Sequence, residues 1–181
     1  MTQAPETAGP PGPSDTDAAP LETAAGWLGA ALSDASSPHD AVAPDAALIR
    51  LLAAVAFGAL IGLDRERKER PAGLRTHMLV SLAAAVFTIA ALEVSAAGDR
   101  LGPNLRVDPT RVVEAVTAGV AFIAAGTIFR AGDRVKGVTT GAAMWLAGAV
   151  GVSCGLGYIW LAAAVAAAAL LVLVVIRAFE A

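Results

Sequence analysis

Eight of the twelve residues from Asp64 to Arg75 are charged, and apolar chain flanks them on both sides. Asp64, Arg65, Glu66, Arg70, Gly73, Arg75, Thr76 and His77 are therefore candidates for an interaction surface. A neutral imidazole at His77 could accept a proton or hold a partner group near neutral pH; a hydrogen-bonded histidine at a helix start accounts for it equally well. Asp64–Lys68, Arg65–Glu69 and Glu66–Arg70 stand at i,i+4, so a helix continuing past the apolar stretch would gain a few tenths of a kcal/mol from each pair. A second cluster, Arg134, Gly137 and Thr140, lies in a turn over 130–140 that opens another apolar stretch, and the two turns, 64–77 and 130–140, form the expected working surface. Arg50 and Glu114 lie near the ends of apolar runs, where ionisable groups are functional candidates.

A magnesium route through a membrane calls for oxygen ligands, carboxylates above all. Asp64, Glu93 and Glu114 fall near the ends of apolar runs and none near a middle, which argues against a self-contained cation channel. No Ser-His-Asp arrangement, phosphate loop or zinc motif is present, so we expect no enzyme, no metal site and no cofactor. The single cysteine, Cys154, reads as a small packing residue. No basic patch is large enough for nucleic acid.

The elements that must hold these residues are membrane spans. The 181 residues are 56% hydrophobic and 16% charged, with mean hydropathy +0.65; soluble domains carry about 25% charged residues. A spanning helix needs about 17–25 mostly apolar residues. Stretches near 46–63, 74–92, 111–129, 137–155 and 158–176 qualify. The last two are divided at Cys-Gly-Leu-Gly-Tyr (154–158), where Gly155 and Gly157 permit a tight turn. The expected fold is an all-α, polytopic membrane protein of five transmembrane helices. Residues 1–45 hold seven acidic residues and no Lys or Arg, and read as a largely disordered tail; 21–32 could form a short surface helix. The membrane domain is 46–181.

Lys and Arg concentrate on one side: Arg65, Arg67, Lys68, Arg70, Arg75, Arg130, Arg134, Lys136 and Arg177, against Arg50, Arg100, Arg106 and Arg111 on the other. The richer side is expected to be cytoplasmic, which puts the N-terminus outside and the C-terminus inside. Tyr158 and Trp160 then form an outer aromatic belt, and Trp145 is expected to pack mid-span. Asp108 reads as a helix N-cap followed by Pro109.

A shift of 64 residues aligns 62–86 with 126–150. Gly62 meets Gly126, Arg70 meets Arg134, Gly73 meets Gly137 and Thr76 meets Thr140, within eight identities over 25 positions. RPAGLRT recurs as RVKGVTT. The spacing predicts a duplicated helical hairpin, spans one and two then three and four, plus a fifth helix. Parallel repeats of this kind share an axis along the membrane normal. A local ion pair with Arg111 at i−3 accounts for Glu114 most simply; since Arg50 corresponds to Glu114 under the shift, the competing hypothesis is that these two pair across that axis. Gly58, Gly62, Gly126, Gly141 and Gly151 mark close helix packing.

With the turns located, a resemblance becomes specific. AFGALIGLDRERKERPAGLRTHMLVSLAAAVFT (56–88) resembles the first hairpin of the MgtC/SapB membrane-protein family. Residues 108–157, with Asp-Pro-x-Arg, a Gly-bearing third span and Val-x-Gly-Val-Thr-Thr, are similar to its second half. The resemblance implies a bacterial inner-membrane, multi-pass protein of five spans, associated with magnesium limitation and, in pathogens, with survival in host phagocytes. It implies a regulatory or interaction module in magnesium or ion homeostasis and stress adaptation; the alternative is an oligomeric transporter or channel for Mg²⁺ or another cation. Expected partners are the lipid bilayer, another membrane protein such as a transporter or ATPase, and further copies of the chain. Many members carry a soluble C-terminal domain, which places this sequence among short forms. Ala115, Ala118 and Gly119 stand where the family often has Gln-x-x-Ser-Gly, and Ala121 and Ala124 where glycines are common.

Overall fold

A computed structural model describes Gly26, residues 41–101, Asp108 and residues 110–173. The chain divides into two units, Met1–Ser37 and Pro38–Ala181. The tail expected over 1–45 and the short helix expected over 21–32 lie almost wholly outside the described residues, as do Pro109 and the end of the fifth span.

Among the described residues, five helices carry the membrane domain: α1 (Pro44–Glu66), α2 (Leu74–Leu101), α3 (Thr110–Ala125), α4 (Val138–Gly155) and α5 (Ile159–Leu171). Pro44 begins α1, where its missing N–H and fixed φ suit the first turn. The helix runs three residues beyond the expected span, carrying the first charges with it. Gly137 precedes α4 at φ +88, a left-handed position that glycine occupies at no steric cost. Gly157, also at φ +88, ends the tight link to α5.

Among the described residues, α1, α2 and α4 are long and apolar enough to cross a bilayer. α3 has 16 residues and α5 has 13, about 24 and 20 Å at 1.5 Å per residue. The third span, expected over 111–129, is therefore shorter than read. Its helix stops at Ala125, the Thr127 hydroxyl turns back to the Ala124 carbonyl at 2.7 Å, and an antiparallel hairpin follows: β1 (Phe129–Ala131) and β2 (Arg134–Lys136). The plain turn expected over 130–140 is thus in part a β-hairpin. The missed signal is Gly132-Asp133 between the strands, with Gly132 at φ +64, a dipeptide suited to a two-residue hairpin loop.

α4 is the centre of the bundle. Thr140, Gly141, Ala143, Met144, Ala147, Gly148, Val150, Gly151, Cys154 and Gly155 are all buried on it. Its glycines seat the neighbours. A Cβ on Gly141 would lie 3.1 Å from the Ala124 carbonyl oxygen, and one on Gly148 3.0 Å from Val120. A Cβ on Gly151 would collide with the Ser81 carbonyl oxygen, and one on Gly155 would come within 2.6 Å of Thr88. In lipid, where exclusion of water does not drive helices together, such close approach supplies the packing energy. One core joins Ala54, Ile61, Ala85, Val150, Cys154 and Ala162; another joins Val80, Ala84, Val116, Val120, Met144 and Ala147.

The contacts give directions. Ser81 then Thr88 meet Gly151 then Gly155, so α2 and α4 run parallel. Gly58 and Gly62 meet Ser81 and Leu74 in reverse order, and Val120 and Ala124 meet Gly148 and Gly141 likewise, so α1/α2 and α3/α4 are antiparallel pairs. α2 and α4 also begin in register under the 64-residue shift, at Leu74 and Val138. The amides of His77 and Gly141 donate to the carbonyls of Gly73 and Gly137, 3.3 and 2.9 Å, at corresponding positions. The duplicated hairpin is thus a feature of the fold, with the second copy departing from the first in a shorter leading helix and an inserted β-hairpin.

Candidate functional site

The end of the bundle holding residues 64–77 and 127–140 collects most of the expected site residues. At the foot of α1, Lys68 is ion-paired with Asp64 and donates to the Leu173 carbonyl at 3.3 Å. It thereby ties α1 to the segment just beyond α5. Arg65 is buried, 5% exposed, with its guanidinium 3.7 Å from the Asp64 carboxylate. The Asp64–Lys68 pair expected from spacing is formed.

Glu66 does something else. Its carboxylate accepts the Leu74 amide at 2.9 Å instead of reaching Arg70, so it caps the first turn of α2 and sits where the helix dipole is positive. The chain gets there through Glu69, at φ +48, and Gly73, whose Cβ would overlap the Glu66 carboxylate. Gly73 is thereby explained as space for a side-chain cap.

His77 is fully buried and packs against Gly58 and Gly62. Its Nδ1 lies 2.8 Å from the Gly73 carbonyl oxygen; a carbonyl only accepts, so Nδ1 carries the proton. Nε2 is left as an acceptor with no partner among the described residues, and the buried Ser81 hydroxyl one turn on is in the same condition. Sequence reasoning missed Ser81; its i,i+4 offset from His77 was the available signal. Thr140 is buried on α4, whereas Arg70, Arg75 and Arg134 are exposed and Thr76 is partly so. Arg70 lies in the irregular link between α1 and α2 and Arg134 on a strand, so these two match in sequence position but not in local structure. A Cβ on Gly137 would collide with the Thr127 carbonyl oxygen, which pins the hairpin to the start of α4. Gly126 is less confined, with the Ile123 carbonyl oxygen 3.2 Å from its Cβ position.

At the other end, Arg50 and Glu114 do not pair. Arg50 Nη1 donates to the Gly155 carbonyl at 2.8 Å, and its guanidinium covers Gly157. A cation over the last carbonyls of α4 is well placed against the helix dipole. Glu114 is exposed on α3. Asp108 caps α3 as expected, accepting from the Thr110 amide and hydroxyl at 2.9 and 2.7 Å. These bonds hold its carboxyl below the ordinary carboxylate value. Glu93, on α2, accepts the Val42 amide at 2.9 Å ahead of α1. Trp145, expected to pack, is half exposed; Tyr158 and Trp160 are exposed at the start of α5.

Among the described residues no three His, Cys, Asp or Glu side chains gather as metal ligands. Instead the structure offers buried, tied-down charge at the bundle ends and exposed cations on the turn side. Apolar helices with charge collected at their ends define a polytopic membrane protein. The chain belongs to the MgtC family, whose profile matches residues 51–181. It is 40% identical over 110 residues to Protein MgtC of Salmonella typhimurium, covering 61% of this chain and 43% of that protein. It is 42% identical over 109 residues to Protein MgtC of Brucella abortus, covering 60% and 42%. An uncharacterized protein of Haemophilus influenzae is 32% identical over 120 residues, 65% of this chain and 50% of its own length. The matches thus span half or less of these relatives. No solved structure matches the chain.

Proposed function

We propose that this membrane protein is a non-catalytic regulatory module of ion homeostasis in the bacterial inner membrane, acting through the end that carries residues 64–77 and 130–140. In this reading the chain crosses five times, that end faces the cytoplasm, and the N-terminus lies outside. Magnesium enters through the family alone. The observation that carries the reading is the placement of charge: Asp64, Lys68 and Glu66 are each committed to a structural contact at the turn end, while Arg70 and Arg75 between α1 and the first turn of α2, and Arg134 on β2, stand exposed. That is a rigid base presenting cations to a partner, which we take to be another membrane protein such as a transporter or ATPase.

Crosslinking tests this. A photoreactive residue at position 70 or 75, in cells grown under magnesium limitation, should capture a defined membrane protein, and Arg70→Gln with Arg75→Gln should abolish the capture. Cation flux from liposomes holding the purified chain alone, removed by Asp64→Asn or Glu114→Gln, would instead establish the oligomeric channel reading.

A further inference from the structure

α3 stands partly off the bundle. Only Val116, Val120 and Ala124 are buried on it, and Phe122 is 82% exposed. Between α3 and α2 lies a groove of about 380 Å³ walled by Val80, Ala84, Phe87, Val112, Val116 and Ile123, with Gly119 on its α3 side. A Cβ added at Gly119 would meet nothing within 4 Å. Three residues after α3 ends, the hairpin begins. Arg130 is engaged within it, donating to the Gly132 carbonyl at 2.9 Å and paired with Asp133 at 3.6 Å. Arg134 and Lys136 are exposed on β2 with no ion-pair partner among the described residues.

We propose that the α2–α3 groove and the β2 cations form one site for a single anionic phospholipid. One acyl chain lies along the groove, and the phosphate-bearing headgroup meets Arg134 and Lys136. The groove is open along one side and lined by apolar residues alone, and from Val112 to Ile123 it follows roughly 16 Å of helix, a length and chemistry that an extended hydrocarbon chain matches. Charge selects the headgroup. Lys136 is two residues from the first residue of α4, a helix able to span the bilayer, so β2 is tethered at headgroup depth. A basic residue near an anionic leaflet contributes about 1 kcal/mol. The corresponding turn of the first repeat, residues 67–73, has no strands, so the cationic part of the site comes from the second repeat alone, while α2 of the first repeat supplies one wall of the groove.

The full-length chain, purified into mixed micelles of equal phosphatidylglycerol and phosphatidylcholine, can be released for native mass spectrometry. The expected result is one retained lipid, phosphatidylglycerol favoured on the order of tenfold or more. Gly119→Leu should fill the groove and lower retention of both lipids severalfold. Ala115→Leu, on the same wall, carries that arm if Gly119→Leu fails to fold by circular dichroism. Arg134→Gln with Lys136→Gln should keep a lipid but bring the two headgroups to near parity. Equal retention of both lipids by the wild type would overturn the proposal. So would unchanged retention in the filled variants, or a lipid-free dimer, which would mean that a second copy covers α3.

Discussion

At the residue scale, single side chains serve as the caps that the backbone of this fold lacks. Glu66 closes the start of α2 and Gly73 leaves room for it. Glu66→Ala should lower stability by about 0.5–2 kcal/mol, the usual cost of losing a helix cap, read as a drop in the detergent melting temperature. The amides at the start of α2 should then exchange faster while those of α4 do not. Asp108 makes a pH prediction. Its folded carboxyl titrates below its ordinary value because Thr110 donates to it, so the contribution is present at neutral pH. It is lost as pH falls through the acid range where the folded carboxyl gains its proton. Melting temperature plotted against pH should therefore fall more steeply for the wild type than for Asp108→Asn, with the curves converging at the acid end. Asp108 was legible from sequence because a cap is a local matter. The partner of Arg50 was not: a carbonyl at the end of α4 has no side-chain signature, and the repeat offset pointed to Glu114.

At the scale of elements, α4 is ordered by what its glycines exclude. Gly151→Ala forces a methyl group into the Ser81 carbonyl and should cost about 1–3 kcal/mol as an overpacking change. Gly119→Ala points into open space and should be neutral or stabilising by up to about 1 kcal/mol from helix propensity. Thermal unfolding of the two in the same detergent is the check, and the reverse order would mean that α3, not α4, is the tightly packed helix. The helix starts were readable because Gly73 and Gly137 break the chain where apolar runs begin. The end of α3 was not, because Ile128 and Phe129 continue the apolar pattern although the backbone has already turned. Hydropathy does not register the left-handed glycine that makes a hairpin of Gly132-Asp133.

For the whole molecule, the repeat is the feature that sequence conveyed most fully, since it needed only position and not contact. The parallel pairing of α2 with α4 sets two related hairpins side by side. The proposed topology can be checked with the same symmetry. Cysteines placed at residues 70 and 133, in a Cys154→Ala background, should react with an impermeant thiol reagent only in inverted vesicles, while one at Glu114 should react only in intact cells. Labelling of all three from one side would rule out the five-span arrangement. What the repeat could not convey is its own asymmetry, with α3 short, a β-hairpin added, and α5 bound to α1 through Lys68 and Leu173.

Arg50 also bears on biogenesis. It meets the carbonyl of a residue 105 positions further along the chain, so a ribosome finishes α1 long before that acceptor exists. Until then the guanidinium has only water and headgroups for company, which holds the first helix at the interface by its charged end. The final docking of α1 must wait for α4 and the tight Gly157 link to be made. Arg50 thus makes closure of the bundle depend on the synthesis of α4, and chains truncated before residue 155 should remain open to quality-control proteases.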